Sequence, residues 1–225
     1  MSAGAGAQHA LRVVVLASGR GTNLSALLGA IDEHRCQAEV VAVVSDKAGA
    51  AALDLARKRG IATHCLPFRR QDRARWDADL ADRVAEAAPE LVVLAGFMRL
   101  LGPAFLERFA GRVVNVHPSL LPAFPGLAAP AQTLAAGVHV AGCTVHLVDA
   151  GVDSGAILAQ AAVPVLPGDD EAALHERIQR EEHALLPGVV DAIARGALSL
   201  APSGPRWVAA PIAAGALRSP ALGAR

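Results

Sequence analysis

The sequence predicts an α/β fold with a doubly wound, mostly parallel sheet and helices on both faces. Short runs rich in valine and leucine alternate along the chain with segments that are apolar at helical spacing, as in repeated strand and helix units. The run Leu91–Ala95 is apolar at every position, which is typical of a strand buried on both faces of a parallel sheet.

The predicted elements follow one another from Leu11 onward. A β-branched run, Leu11–Ala17, ends at a glycine-rich turn and predicts the first strand. The helix after this turn has an apolar face formed by Leu24, Leu27, Leu28 and Ile31. The later strands are predicted at Glu39–Val44, Leu91–Ala95, Arg112–Val116, Cys143–Val148 and Ile157–Val165.

The later helices are recognised by their periodicity and by the residues that end them. Gly60 closes the second helix, and the third is broken before Pro89. The last helical segment is expected to be interrupted near Pro187 and Gly188. These helices are predicted at Ala50–Arg59, Gln71–Ala87, Pro103–Phe109 and Glu171–Arg195.

The length and the ends of the chain indicate a single domain. A chain of 225 residues can bury one sizeable core, and we assign residues 11–200 to it. Residues 1–10 are predicted to be a flexible extension, since they are small and polar without the basic start of a secretory signal. Residues 201–225 are rich in alanine, proline and glycine and are predicted to be irregular or disordered.

Composition limits the classes of partner and the compartment. Lys and Arg together number 21, as do Asp and Glu, and a zero net charge argues against a nucleic-acid partner. The apolar run Val13–Ala17 is too short to span a membrane. Cys36, Cys65 and Cys143 are widely spaced, so neither disulfides nor a metal site is predicted. A cytoplasmic location is expected.

Polar and glycine-rich segments follow several of the predicted strands. In doubly wound folds, ligands bind outside the carboxyl ends of the strands. The segments expected along this edge of the sheet are Ser18–Asn23, Gly96–Leu101, Asn115–His117 and Asp149–Asp153.

A polar pair at the end of a predicted strand is the first catalytic candidate. Residues two apart in a strand point to the same side, so Asn115 and His117 can present an amide and a ring N–H toward one point. Such donors suit the stabilisation of an oxyanion. The alternative is a histidine with a purely structural role.

The turn Gly19–Asn23 is a candidate phosphate site. It offers unhindered backbone, a hydroxyl, an amide and the positive end of a helix dipole. A dinucleotide site would require glycine where this chain has Leu24, so Asp46 at the end of the second strand does not by itself indicate a ribose-binding acid. Ser18 is not the nucleophile of a G-x-S-x-G hydrolase motif, because Leu16 and Arg20 stand where that motif has glycine. The alternative is an ordinary tight turn.

Two further loops are candidates for binding and catalysis. Gly96–Leu101 combines backbone polar groups with apolar side chains and suits a flat heterocycle, or else simply packs its own apolar side chains. An aspartate in Asp149–Ser154 could hold a nearby histidine protonated, or the segment could be a structural turn.

From about Leu11 to Gly196 the chain resembles the phosphoribosylglycinamide formyltransferases. The motifs are VLASGRGTNL at 15–24, LAGFMR at 94–99, VNVHPSLLP at 114–122, and VHLV at 145–148 followed by DSG at 153–155. Several motifs in one order over most of a chain are far more specific than any single match. The resemblance implies the formyltransferase fold, with a Rossmann-like N-terminal half.

The resemblance also implies an activity and a set of site residues. The activity is transfer of the formyl group of 10-formyltetrahydrofolate, a co-substrate, to the amine of 5'-phosphoribosylglycinamide in purine (IMP) biosynthesis, without a metal and through a tetrahedral oxyanion. The implied catalytic residues are Asn115, His117 and Asp153. The implied ribonucleotide site comprises Gly21, Thr22, Asn23, Gln179, Arg180, Glu181 and Glu182. The implied folate site comprises Arg73, Met98, Arg99, Leu100, Leu101, Asn115, Asp149, Ala150, Gly151, Val152 and Asp153. A monomer or a homodimer is expected.

One loop departs from the pattern of that family. Ala128 stands where the family usually has a histidine, and the segment Pro125–Gln132 looks like the corresponding loop of methionyl-tRNA formyltransferases. Against that alternative, the chain after Gly196 is too short for a tRNA-binding barrel and the net charge is zero. A formyltetrahydrofolate hydrolase, which normally has a regulatory domain before the sheet, and an inactive binding protein remain as further alternatives.

Overall fold

The computed structural model describes residues 9–201 and 204–208 of the chain, and its centre is a twisted sheet. The strands of this sheet are β1 (Leu11–Leu16), β2 (Ala38–Ser45), β3 (Ala62–Cys65), β4 (Leu91–Leu94), β5 (Val113–His117), β6 (Val140–Leu147) and β7 (Ile157–Pro164). They lie in the order β3-β2-β1-β4-β5-β6-β7. The first five strands are parallel, and β6 and β7 are antiparallel to their neighbours. The predicted α/β fold with a mostly parallel sheet is confirmed.

Helices cover both faces of the sheet. They are α1 (Thr22–Asp32), α2 (Ala51–Lys58), α3 (Arg73–Glu86), α4 (Pro103–Arg108), α5 (Ala129–Ala135) and α6 (Glu171–Ala194), with a 3₁₀ turn at Arg70–Asp72. Among the described residues, no helix is long and apolar enough to cross a membrane.

The sheet is buried on both faces because successive strand residues point to opposite sides. In β1, Val13 and Val15 pack with the apolar residues of α1, α2 and α6. Val14 and Leu16 pack on the other face, against α3 and α4. This two-sided burial explains why the central strands are apolar at nearly every position.

Two elements of the domain were not predicted, and a third begins earlier in the chain than predicted. Strand β3 was missed because it is short, lies at the sheet edge and is only partly buried. Helix α5 was missed because Pro130 lies in its first turn and the segment is only seven residues long. Strand β6 begins at Val140, three residues earlier than predicted.

The last helix corrects the expected interruption near Pro187 and Gly188. Helix α6 runs without a break from Glu171 to Ala194, with Pro187 inside it. A proline in a helix interior costs about 3 kcal/mol. Leu186 and Val190 are both fully buried against the sheet, and burial of such side chains at roughly 1.5–3 kcal/mol each outweighs that cost.

The segment after Gly196 also differs from expectation. Strands β8 (Leu198–Ala201) and β9 (Gly204–Trp207) form an antiparallel hairpin, so the prediction of an irregular segment from Ala201 onward is wrong for residues 204–207. Leu198 is buried, and the Trp207 indole Nε1 donates a hydrogen bond to the Leu158 carbonyl, which fixes the hairpin on β7. Residues 1–8, 202–203 and 209–225 lie outside the described residues. They include most of the predicted N-terminal extension (1–10) and the rest of the predicted tail (201–225).

Candidate active site

Strand β5 presents Asn115 and His117 on one side of the sheet, as their spacing predicts. His117 is buried, and its Nε2 lies 2.9 Å from the Phe124 carbonyl oxygen. A carbonyl oxygen only accepts hydrogen bonds, so Nε2 carries a proton. Nδ1 of the same ring lies 3.3 Å from Oδ2 of Asp153. The ring therefore lies between two acceptors, an arrangement that suits its doubly protonated form.

Asp153 joins this pair although its loop starts at the other end of the sheet. Since β6 is antiparallel to β5, its carboxyl end lies beside the amino end of β5, where Val148 N–H donates to the Val113 carbonyl. The expectation that the loop follows a strand end at the same edge is therefore wrong. The loop runs back along β5, and the Gly126 N–H donates to Asp153 Oδ2 at 2.8 Å.

The surroundings of Asp153 favour its ionised form. Burial alone would raise the pKa of this carboxyl, but the neighbouring His146 ring, the hydrogen bond from the Gly126 N–H and the charge of His117 lower it below its usual value. A carboxylate is thus available beside the imidazole of His117 at neutral pH.

His146 belongs to the same cluster and was not among the predicted site residues. Its Nδ1 lies 2.8 Å from the Leu147 carbonyl, so Nδ1 is the donor, and Nε2 accepts from Asn115 Nδ2 at 3.2 Å in the neutral ring. His146 Nε2 also lies 3.6 Å from Asp153 Oδ1. Only the pairing of Asn115 with His146 across β5 and β6 brings the ring here, and no local pattern indicates that register.

The loop after β5 is held by side chains of the neighbouring strands. Thr144 Oγ1 donates to the Ser119 carbonyl at 2.7 Å and accepts from the Leu121 N–H at 3.0 Å. Gln160 Nε2 donates to the Leu121 carbonyl at 2.9 Å. These bonds fix the loop before it reaches Phe124, whose carbonyl contacts His117.

Unusual backbone angles cluster around this site. Phe124, Ala128 and Asp153 all have positive φ, at 54°, 56° and 51°. Such conformations cost energy for residues other than glycine and persist where the surrounding structure imposes them. The backbone around His117 is therefore held in place from both flanking loops.

One pocket beside these residues brings together most of the predicted folate site. Its lining residues are Arg73, Leu94, Phe97, Arg99, Leu100, Leu101, Asn115, His146, Val148, Asp149, Ala150, Gly151, Val152 and Asp153. Met98 is the predicted residue that does not line it: the residue is 59% exposed, and its backbone N–H donates to the Ser18 hydroxyl. Leu94 and Val148 line the pocket without having been predicted, because strand ends look like ordinary core in a sequence. Phe97 lies in the candidate loop Gly96–Leu101 but was not among the named folate residues.

The glycine-rich turn forms a second polar site at the start of α1. Gly21 has φ 77°, and a Cβ there would lie 2.9 Å from the Cα of Ala52, so only glycine fits. Gln179 Nε2 donates to Thr22 Oγ1 at 3.1 Å. Asn23 Nδ2 donates to Glu182 Oε2 at 3.1 Å. Four of the predicted ribonucleotide residues thus meet across α1 and α6.

Two of the predicted residues on α6 point elsewhere, because successive helix residues are rotated by about 100°. Gln179 and Glu182 are three apart and share a face. Arg180 is exposed and pairs with Glu176 at 2.6 Å. Glu181 lines a separate groove beside Trp207.

Buried polar atoms in this second site point to a ligand. Asn23 Oδ1 is buried and, among the described residues, has no hydrogen-bond partner. Burial raises the pKa of Glu182, against the lowering effect of the Asn23 hydrogen bond. An unmet acceptor beside a buried carboxyl group suits a ligand that donates hydrogen bonds.

The described residues contain no group of three or more histidine, cysteine, aspartate or glutamate side chains arranged to hold a metal ion. The side chains at the site provide hydrogen-bond donors beside a carboxylate, which suits acyl transfer through an oxyanion.

Comparisons with known proteins show which family the chain is similar to. Residues 11–190 match the formyl transferase family. Over 185 residues the chain is 50% identical to phosphoribosylglycinamide formyltransferase of Mycobacterium tuberculosis H37Rv, covering 81% of this chain and 85% of that protein. It is 47% identical over 190 residues to the trifunctional purine biosynthetic protein adenosine-3 of Drosophila pseudoobscura, covering 83% of this chain but only 14% of that longer protein.

A solved structure gives the same result. The crystal structure of glycinamide ribonucleotide transformylase 1 from Symbiobacterium toebii superimposes with a TM-score of 0.85 at 46% identity. The match covers 89% of this chain and 95% of that one. With the family match spanning most of the domain and the two-site geometry already described, the chain belongs to the formyl transferase family.

Proposed function

We propose that this protein transfers the formyl group of 10-formyltetrahydrofolate to the amine of 5'-phosphoribosylglycinamide, a step of purine biosynthesis. The observation that carries this proposal is the contact of His117 with Asp153 at 3.3 Å, since Asp153 also lines the pocket. The relatives that share most of the domain have this reaction in their names.

The reaction follows from the donors and the carboxylate. The substrate amine attacks the formyl carbon, and the carbonyl oxygen of the formyl group becomes an oxyanion. His117 Nε2 donates to this oxygen, which takes the place now held by the Phe124 carbonyl at 2.9 Å. Asn115 supplies the second donor. The contact with Phe124 supports this assignment, because it demonstrates that an oxygen fits at Nε2.

Asp153 has two roles in the same step, one electrostatic and one as a proton acceptor. Its charge stabilises the protonated ring of His117, and through water it accepts the proton lost by the attacking amine. Collapse of the tetrahedral intermediate breaks the bond between the formyl carbon and N10 of the folate, which leaves with a proton. No covalent enzyme intermediate is required.

The two substrates are assigned to the two sites by their chemistry. The heterocycle of the folate suits the apolar pocket with its backbone groups, while Arg73 and Arg99 suit the carboxylates of the folate tail. The phosphate suits the N–H groups at the start of α1, and the ribose hydroxyls suit Asn23 and Glu182. We further propose a cytoplasmic monomer or homodimer without a nucleic-acid partner.

A single-turnover assay tests the proposal. The protein is mixed with 10-formyltetrahydrofolate and 5'-phosphoribosylglycinamide, and the formylated ribonucleotide is measured against controls containing water alone or methionyl-tRNA. We expect formylation of the ribonucleotide to be far the fastest. Release of formate at the same rate without an acceptor would instead identify a hydrolase, and preference for the tRNA would refute the proposed acceptor.

The phosphate site is best tested at Thr22. A bulky residue at Gly21 would collide with the backbone of Ala52, so its effects would include distortion of the turn. Thr22→Val keeps the side-chain shape and removes the hydroxyl that accepts from Gln179. We expect KM for the ribonucleotide to rise about tenfold, as for one lost hydrogen bond to a charged group, with KM for the folate unchanged. Equal rises for both substrates in steady-state assays would reject the assignment.

The Ala128 departure is tested by restoring an imidazole. Ala128 is exposed and has φ 56°, a conformation that histidine adopts more readily than most residues. Ala128→His should raise kcat/KM for the ribonucleotide roughly tenfold, the equivalent of about 1.5 kcal/mol for one hydrogen bond to a charged group. Ala128→Phe serves as a size control without a donor. No gain, or the same gain with phenylalanine, would indicate that the loop has no role for an imidazole.

A further inference from the structure

Asp46, directly after β2, has a buried carboxylate, and each of its two oxygens accepts a hydrogen bond. Its side chain is 0% exposed. Oδ1 accepts a hydrogen bond of 2.6 Å from the Ser18 hydroxyl, and Oδ2 accepts one of 2.6 Å from Arg99 Nε. Because the side chain is fully buried against these two partners, Asp46 does not face the solvent to bind a ribose, the role that its position after the second strand would otherwise suggest.

Ser18 connects the two substrate loops. Its hydroxyl donates to Asp46 and accepts from the Met98 N–H at 3.0 Å, while its own backbone N–H donates to the Gly96 carbonyl at 3.1 Å. Ser18 immediately precedes the turn that forms the phosphate site, and residues 96–101 form one wall of the folate pocket. The hydroxyl of Ser18 is thus a structural link, and its proton is not available for a nucleophilic role.

The Arg99 guanidinium has two partners among the described residues, Asp46 and Phe68, while its two terminal nitrogens remain available. Its Nε binds Asp46, and its guanidinium carbon lies 4.5 Å from the centre of the Phe68 ring. Within the part of the chain that the structure describes, neither terminal nitrogen donates a hydrogen bond, and Arg99 lines the pocket. A guanidinium fixed at Nε can present its two terminal nitrogens to one carboxylate.

We propose that Asp46 is a positioning residue for formyl transfer, which aims the Arg99 guanidinium into the folate pocket and ties that pocket to the phosphate loop through Ser18. This inference rests on the proposed function for the identity of the ligand. An arginine without its buried partner would keep its charge but lose its orientation, and orientation is what bidentate binding of a carboxylate requires.

Asp46→Asn is the direct test, because asparagine keeps the shape and can still bond to one of the two partners. We expect KM for 10-formyltetrahydrofolate to rise about tenfold, while kcat and KM for the ribonucleotide change less than about threefold. The dissociation constant of tetrahydrofolate, measured by calorimetry, should rise by the same factor. A purely structural role would lower the melting temperature without separating the two substrates.

A matched control is available in the same chain. Asp169 and Arg177 form an ion pair of the same length, 2.6 Å, with similarly buried side chains, and neither residue lines the pocket. Asp169→Asn should lower the melting temperature while leaving both KM values unchanged. If Asp169→Asn and Asp46→Asn had the same kinetic effects, the proposal would fail.

A second variant decides the matter if Asp46→Asn does not fold. Arg99→Lys keeps a positive charge beside the pocket. Its single ammonium group cannot bind Asp46 and also present two nitrogens to a carboxylate. A tenfold weaker affinity for tetrahydrofolate supports the proposal, and an unchanged affinity overturns it. If the native protein fails to formylate 5'-phosphoribosylglycinamide, the proposed acceptor is wrong, yet the tetrahydrofolate titration still tests Asp46.

Discussion

His117→Ala should lower kcat by about a hundredfold to a thousandfold, or about 3 kcal/mol of transition-state stabilisation. The ring is the proposed donor to the oxyanion, and its Nε2 already binds a carbonyl oxygen at 2.9 Å. KM for both substrates should change little, because the hydrogen bond strengthens only as charge develops on the formyl oxygen. Asn115→Ala should act in the same direction.

Single-turnover rates and melting temperatures together check this prediction. His117 is buried, so its loss leaves a cavity that lowers stability, and the rate must be measured where the variant is folded. His64→Ala on the edge strand β3 is the control, since His64 is half-buried and does not line the pocket. Near-normal turnover in a folded His117→Ala protein would contradict the proposed role of His117 as the oxyanion donor.

Asp153→Asn is expected to have the second largest effect. Asparagine tolerates the positive φ of 51° at this position, so the loop should keep its path, and its oxygen can still accept from the Gly126 N–H. The negative charge beside the two histidines is lost. We expect kcat to fall by about a hundredfold and the pH–rate profile to change, because the carboxylate charge beside His117 is lost.

The stability of the same variant should respond to acid in a defined direction. The pKa of Asp153 is lowered in the folded protein, so its ionised form contributes stability above the unfolded carboxyl pKa of about 4. This contribution is lost as the pH falls through the lower, folded value. The acid-unfolding transition of the native protein should therefore be steeper than that of Asp153→Asn, as measured by circular dichroism. An unchanged rate profile in the folded variant would refute the coupling to His117.

The sequence alone determined the class of fold and indicated the proposed catalytic pair. Residue spacing of two in a strand put Asn115 and His117 on one side, and uniformly apolar runs indicated a sheet covered on both faces. The turn Gly19–Asn23 was recognisable as a candidate phosphate site from its glycines, hydroxyl and amide. These features are local, since the backbone period and the residue type together decide them.

Only the tertiary structure decided which distant residues meet. His146 joins the site through the register of β5 with β6, and Asp153 arrives by a loop that runs back along the sheet. Ser18, Asp46 and Arg99 come from three separate segments, and the phase of α6 selects Gln179 and Glu182 over their neighbours. Strand register and helix rotation are set by burying apolar surface across the whole domain, which no window of adjacent residues encodes.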